Sequence, residues 1–222
     1  MVSSARVLLV HGLWYGRPGM LPLARRLRKL GWECDLFGYS SVFGSPTANV
    51  ARLAERAAAI DAARLHLVGH SLGGLLVLKM LAESGGALPG GRVVLLGSPL
   101  NGSVVARRMA GNRALKPWIG RAEALLDQGV EDLPGGREVA AIAGTSSLGA
   151  GRLVARLDKP HDGTVTVAET RVPGLADHLE LPVSHTGLVL SREVSAATDR
   201  CLRTGRFRTT TPGRTRPASR TR

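Results

Sequence analysis

The chain has 222 residues, of which 44% are hydrophobic and 21% charged, a composition typical of a folded globular protein. No apolar run reaches the roughly 18 residues that cross a bilayer, and two cysteines are too few for a disulfide scaffold or a four-cysteine zinc site. The net charge is +13, and the segment 206–222 contains six arginines and no acidic residue. We predict one folded domain over 1–207 and a basic, disordered tail over 208–222.

The basic charge raises the question of a polyanionic partner. Such a charge attracts nucleic acid or anionic lipid, but no nucleic-acid recognition motif accompanies it here. We therefore expect a solvated surface, no specific nucleic acid, and at most weak contact between the Arg-rich tail and an anionic surface. The N-terminal residues look like a core strand rather than a signal peptide, which favours a cytoplasmic protein. The sequence leaves the oligomeric state open.

Apolar runs alternate with helix-like segments, which predicts a mostly parallel sheet with helices on both faces. In chain order we predict strands at 6–10, 33–38, 65–69, 92–97, 138–144 and 179–183, with 164–167 as a short strand or an extended loop. Helices are predicted at 18–30, 48–60, 72–84 and 186–198, and residues 103–132 are predicted to be helical but broken at Pro117.

The clearest functional signal is a serine between a predicted strand and a predicted helix. The segment Gly69-His70-Ser71-Leu72-Gly73 has the G-x-S-x-G pattern. We expect a sharp turn that exposes Ser71 as a nucleophile, with glycines at 69 and 73 avoiding a clash across the turn. A phosphate-binding turn is the alternative, but the lysine signature of a P-loop is absent.

Attack by a serine on an ester creates an oxyanion, which needs two N–H donors. Leu72, at the start of the helix, supplies one. The loop after the first strand contains His11, Gly12 and Leu13, and we predict that the Leu13 N–H is the second donor. An ordinary strand-to-helix loop is the alternative, and we expect His11 to be a structural residue.

A serine nucleophile also needs a base, and the base needs a carboxylate that orients it. His185 follows the last predicted strand and is our candidate base, with His178 as the alternative. Asp162 lies in an Asp-Gly turn between the serine and the histidine and is our candidate acid. Asp158 and Asp177 are the competing acids.

These motifs together resemble the α/β-hydrolase superfamily of the lipase and serine-esterase type, and small bacterial lipases in particular. The resemblance rests on the G-H-S-x-G-G turn, the H-G-x loop, the segment 97–103, which resembles G-T-P-x-x-G-S, and the Ser…Asp…His order. It implies a single-domain α/β-hydrolase fold. It also implies Ser71, Asp162 and His185 as the triad, with Leu13 and Leu72 as oxyanion donors.

We therefore predict a serine hydrolase that cleaves a small-molecule or lipid ester through an acyl-enzyme, with no metal or organic cofactor. Trp14, Tyr15 and Leu100 are candidates for the acyl pocket. Residues 103–135 are the stretch free to cover the site, so we expect a minimal lid or none. An acyltransferase or a thioesterase on the same triad is an alternative, and so is a catalytically silent fold that binds a ligand or a partner.

Overall fold

The computed structural model describes residues 5–148 and 154–208, so the predicted tail beyond 208 lies outside the described residues. Within these residues, six parallel strands form one sheet in the order β2-β1-β3-β4-β5-β6. The strands are β1 (Ala5–Val10), β2 (Glu33–Phe37), β3 (Arg64–His70), β4 (Val93–Leu96), β5 (Val139–Gly144) and β6 (Asp177–Leu181). All six predicted strands are confirmed to within about two residues. The segment 164–167, predicted as a short strand or an extended loop, is a bent loop with a bridge between His161 and Thr166.

Eight helices connect or follow these strands in the part of the chain that the structure describes. They are α1 (Gly16–Lys29), α2 (Pro46–Ala58), α3 (Leu72–Glu83), α4 (Val104–Ala110), α5 (Lys116–Ile119), α6 (Glu123–Gln128), α7 (Gly187–Leu190) and α8 (Arg192–Thr204). Short 3-10 turns lie at Gly120–Ala122 and Ala168–Thr170. None of these helices is long and apolar enough to cross a membrane.

Two helix predictions need correction. The segment predicted as one helix over 186–198 contains two, because Ser191 is extended with ψ 138° and its hydroxyl accepts the N–H groups of Glu193 and Val194. Such a cap starts a new helix, and α8 runs on to Thr204. Residues 103–132 are broken as predicted, but Pro117 lies in the first turn of α5 rather than ending a helix. A proline is tolerated there because that N–H has no intrahelical acceptor.

The core consists of one apolar layer on each face of the sheet. Side chains alternate between the faces along each strand, so the paired Leu8 and Leu67 point to one face while Leu9 and Val68 point to the other. Helices α2 and α3 cover the first face, and α1 and α8 cover the second. Full burial of a leucine contributes roughly 1.5–3 kcal/mol, so these two layers hold the sheet between the helices.

The strand order places a crevice beside β1. The chain runs from β1 to β2 on one side of the sheet, and β3 pairs with the other side of β1. The loops that follow β1 and β3 therefore leave the carboxyl edge of the sheet side by side. Ligands of open α/β sheets bind at such a switch point.

Candidate active site

The turn between β3 and α3 holds Ser71 in a backbone conformation that few residues adopt. Its φ is +53° and its ψ is −124°, values at which a side chain is strained. The Ser71 N–H donates to the Leu96 carbonyl of the neighbouring strand at 2.9 Å, which fixes the turn to the sheet. Strained residues cluster at functional sites, so this outlier marks Ser71 as a candidate functional residue.

Glycines make the serine turn sterically possible. A Cβ at Gly69 would overlap the backbone of Gly74, and a Cβ at Gly73 would overlap the Val10 carbonyl. The prediction that glycines at 69 and 73 avoid a clash across the turn is therefore confirmed. Gly74 is also required, because a Cβ there would overlap the Ser98 hydroxyl. That contact joins two segments that are distant in the chain, and it explains the second glycine of the G-H-S-x-G-G turn.

The loop after β1 lies directly against the serine turn. A Cβ at Gly12 would lie 2.9 Å from the Ser71 Cβ, so only glycine allows this approach. Among the described residues the Leu13 N–H has no hydrogen-bond acceptor. Leu72 is the first residue of α3, so its N–H has no intrahelical acceptor. The two predicted donors therefore lie on the two segments that meet at Ser71.

The predicted acid and base are in contact. His185 Nδ1–H donates to Asp162 Oδ2 at 2.6 Å, and the His185 backbone N–H donates to the Asp162 carbonyl at 2.9 Å. The other carboxylate oxygen, Oδ1, accepts the N–H groups of Thr164 at 2.9 Å and Val165 at 2.7 Å. Asp162 is 1% exposed, and both of its oxygens accept hydrogen bonds. The carboxylate thus fixes both the orientation and the tautomer of the imidazole.

The competing acids and bases are placed elsewhere. Asp158 is exposed, and the Asp177 carboxylate accepts the N–H groups of Phe207 and its neighbour His178. The His178 ring bonds the Thr170 hydroxyl, and burial lowers its pKa. All six histidines lie within the described residues, and among their imidazole rings only that of His185 has a hydrogen bond to a carboxylate.

His11 and His70 are buried beside the site without joining the acid–base pair. His11 Nδ1 donates to the Gly12 carbonyl, and its ring stacks on Tyr39 with centroids 4.3 Å apart, which fits the structural role expected for it. His70 Nε2 donates to the His185 carbonyl at 3.1 Å. Burial holds the pKa of His70 well below its usual value, so this imidazole is neutral beside His185.

Ser71 and His185 both line one pocket of about 210 Å³. The structure contains no hydrogen bond between the Ser71 hydroxyl and His185, which both lie in its described part. Catalytic hydrogen bonds are often long before a substrate binds. Among the described residues, the pocket lining contains no Asp, Glu, Lys or Arg, so the space beside Ser71 suits an apolar group. Most of its wall is apolar: Leu13, Trp14, Tyr15, Pro99, Val105, Ala106, Met109, Ile119, Leu126, Leu148 and Val165.

Two of the three predicted pocket residues line this space. The Tyr15 hydroxyl donates to Thr186 Oγ1 at 2.7 Å. Trp14 is 57% exposed at the pocket, has φ +64°, and donates its indole N–H to the Trp118 carbonyl. The structure does not bring Leu100 to the pocket: its side chain is fully buried in the core. Pro99 replaces it as the candidate contact from that loop.

Comparisons with known proteins identify the family of this chain. The sequence profile described as the Alpha/beta hydrolase family matches residues 7–207. The chain belongs to the alpha/beta hydrolase family. The resemblance inferred from the sequence motifs is thereby confirmed at the level of the family, and so is the single-domain fold. No curated protein matches this alpha/beta hydrolase.

Solved structures similar to this alpha/beta hydrolase include several ester-cleaving proteins. Mature BlEst2 lipase of Bacillus licheniformis shares 19% identity at a TM-score of 0.69, over 83% of this chain and 86% of the lipase. A metagenomic carboxyl esterase shares 19% identity at a TM-score of 0.63, over 83% of this chain and 65% of its own. The type II thioesterase BorB of the borrelidin biosynthetic cluster shares 17% identity at a TM-score of 0.58, over 92% of this chain and 93% of the thioesterase. At these identities the likeness shows the fold.

The apolar wall contributed by helices α4–α6 is the part of this alpha/beta hydrolase that sequence reasoning missed. Val105, Ala106 and Met109 of α4 line the pocket, together with Ile119 and Leu126. Their segment lies within the stretch that the sequence left free to cover the site. The apolar spacing within α4 was the available signal. Among the described residues, no group of three or more His, Cys, Asp or Glu side chains could hold a metal ion.

Proposed function

We propose that this alpha/beta hydrolase cleaves carboxylic esters through an acyl-enzyme on Ser71. The observation that carries the proposal is the 2.6 Å bond between His185 and Asp162 beside a pocket that Ser71 also lines. An oriented imidazole next to a strained serine is the arrangement that activates a weak nucleophile. The known-structure neighbours are consistent with this chemistry, since two of those described above are a lipase and a carboxyl esterase.

The first half of the proposed reaction uses His185 as a base. Asp162 holds the proton on Nδ1, so Nε2 presents a lone pair at the opposite edge of the ring. Nε2 then takes the proton of the Ser71 hydroxyl as the oxygen attacks the carbonyl carbon. The resulting imidazolium is stabilised by the ionised Asp162.

The remaining steps use the two backbone donors and a water molecule. The N–H groups of Leu13 and Leu72 stabilise the oxyanion of the tetrahedral intermediate. His185 returns its proton to the departing alcohol, which leaves the acyl group on Ser71. Water then attacks with His185 again as the base, and the acid leaves as Ser71 regains its proton.

The pocket indicates an uncharged, apolar acyl group. A purely apolar cavity of roughly 150 Å³ accommodates benzene, and the pocket here is larger at about 210 Å³. The described residues of its lining include no Asp, Glu, Lys or Arg that could pair with a charged acyl chain, and burying such a charge is costly. We expect short and medium fatty acyl esters to be substrates, without a metal or organic cofactor.

Ser71→Ala tests the proposed function. Wild-type protein should hydrolyse p-nitrophenyl esters and become labelled by a fluorophosphonate probe, whereas Ser71→Ala should do neither while keeping its melting temperature. Turnover by Ser71→Ala at the wild-type rate would show that another residue is the nucleophile. A folded wild-type protein that neither turns over nor accepts the probe would favour a silent, ligand-binding member of the family.

Thioester cleavage is the second candidate function. The supporting observation is the type II thioesterase BorB, whose fold aligns over 92% of this chain and 93% of its own length. Comparing kcat/KM for an oxygen ester and a thioester with the same acyl group discriminates the two. Products formed with added alcohols instead of water would indicate acyl transfer, which the same triad can perform.

A further inference from the structure

Glu169 is a buried carboxylate that the proposed reaction does not use. It is 6% exposed, and no lysine or arginine of the described ranges forms an ion pair with it. Its two oxygens accept backbone N–H groups instead: Oε1 from Val104 and Oε2 from Thr166, each at 2.6 Å. Hydrogen bonds of this length to a charged acceptor are strong and directional.

One of these two bonds is explained by local structure. Thr166 and Glu169 form a reciprocal cap, in which the Glu169 N–H also donates to the Thr166 hydroxyl at 3.2 Å. This is the T-x-x-E pattern that starts a helical turn, here the 3-10 turn Ala168–Thr170. The bond to Val104 has no such explanation, because Val104 lies 65 residues away in the chain.

The bond to Val104 connects two parts of the candidate site. Val104 is the first residue of α4, the helix whose Val105 and Met109 line the pocket. Thr166 follows Val165, which also lines the pocket and whose N–H bonds Asp162. One carboxylate therefore joins the pocket wall to the loop that carries the candidate acid.

A backbone bond strengthens the same junction. The Asn101 N–H, in the loop before α4, donates to the Glu169 carbonyl at 3.0 Å, and the Asn101 side chain donates to the Ala168 carbonyl at 3.2 Å. Burying a carboxylate without a cation is costly unless each oxygen is hydrogen-bonded. Both oxygens of Glu169 are hydrogen-bonded, so this carboxylate fixes the position of α4 relative to the loop that carries Asp162.

We propose that Glu169 is a positioning residue that sets acyl-chain selectivity. This proposal rests on the esterase activity proposed above. The carboxylate holds α4 at a fixed distance from Asp162 and His185, so that an acyl chain packed on α4 presents its carbonyl to Ser71. An acetyl group ends next to the carbonyl and does not need this wall. A hexanoyl chain extends along the wall and does.

Glu169→Gln is the first test. Gln has the same shape, but its amide has one oxygen and one NH2 group, so one of the two backbone N–H groups would face a donor. The ratio of kcat/KM for p-nitrophenyl hexanoate to that for the acetate should fall about ten-fold, as expected for one lost bond to a charged group. Glu180→Gln, which removes an exposed ion pair to Arg171, is the matched control and should keep the ratio.

Val104→Pro removes the same bond from its other end and leaves Glu169 intact. Proline is favoured at the first helical position, and Ser103 before it is already extended with φ −110° and ψ 118°. This variant should therefore fold and lower the ratio by a similar factor. Thr166→Val removes only the local cap, because the hydroxyl is lost while the N–H remains. It should lower the melting temperature and keep the ratio.

The outcomes separate the two proposals. An unchanged ratio in folded Glu169→Gln or Val104→Pro overturns the role of Glu169, even if both esters are hydrolysed more slowly. A fall of the ratio in Thr166→Val as large as in Val104→Pro also overturns it, because the local cap would then account for the effect. A wild-type protein that hydrolyses neither ester overturns the esterase proposal, and the role of Glu169 with it.

Discussion

Replacing Asp162 by Asn tests whether this carboxylate sets the tautomer of His185. In the structure, Asp162 Oδ1 accepts two N–H groups, from Thr164 at 2.9 Å and Val165 at 2.7 Å, and Oδ2 accepts from His185 at 2.6 Å. An Asn side chain has one acceptor and one donor. Its oxygen must stay at the two backbone N–H groups, so its NH2 group faces His185 Nδ1.

The consequence for His185 follows from this orientation. A donor facing Nδ1 favours the tautomer with the proton on Nε2, and that nitrogen can no longer take a proton from Ser71. In a Ser-His-Asp protease the same change lowers kcat about 10⁴-fold, which corresponds to about 5 kcal/mol of transition-state stabilisation. We expect a loss of that order on p-nitrophenyl acetate, with little change in melting temperature because the backbone bonds remain.

Asp158→Asn is the matched control for this prediction. Asp158 lies four residues before Asp162 and is exposed, so the kcat of the Asp158→Asn variant should stay within about two-fold of wild type. The reasoning would be refuted if Asp162→Asn kept more than about a tenth of the wild-type kcat, or if the control lost as much. Measuring kcat and KM separately ensures that a change in binding is not read as a change in chemistry.

Three further predictions concern stability and reactivity. Gly73→Ala should lower the melting temperature, because overpacking costs about 1–3 kcal/mol and each kcal/mol lowers the melting temperature by about 2–4 °C. The control Gly135→Ala, whose Cβ would meet open space, should keep the wild-type melting temperature, and equal melting temperatures of the two variants would contradict the steric argument. Burial lowers the pKa of His66 from 6.5 to about 4, so between pH 4 and pH 6.5 the unfolded chain binds a proton that the folded chain does not. The urea midpoint of unfolding should therefore fall as the pH falls from 6.5 towards 4, and His66→Asn should weaken this pH dependence. Burial raises the pKa of Cys34 to about 11 and of Cys201 to about 12, so iodoacetamide at about pH 8 should label them only after denaturation, and rapid labelling of native protein would argue against their burial.

The fold and the main candidate residues of the site could be predicted from local patterns. Apolar runs predict the four central strands β1, β3, β4 and β5 because these strands are covered on both faces of the sheet. The Gly-x-Ser-x-Gly turn was recognisable because a strand that turns at once into a helix needs small residues at fixed positions. His185 was recognisable because it follows the last apolar strand, and Asp162 because it lies in an Asp-Gly turn between the serine and the histidine; the structure brings the two together.

The direction of a loop side chain, the boundary between two helices and the contacts between distant segments could not be predicted from local patterns. Leu100 points into the core rather than the pocket, and Ser191 divides the last predicted helix in two. The Gly74 contact with Ser98 and the bond of Glu169 to Val104 join segments that are distant in the chain.

The sequence by itself thus determined which segments form the sheet and which three side chains are candidates for the reaction, because those features depend on spacing and on short turns. Only the tertiary structure decided the wall of the pocket, where helices α4–α6 pack beside Ser71, and which buried carboxylate joins that wall to Asp162. Contacts between remote segments depend on how the chain packs, and packing is a property of the whole core rather than of any stretch of residues.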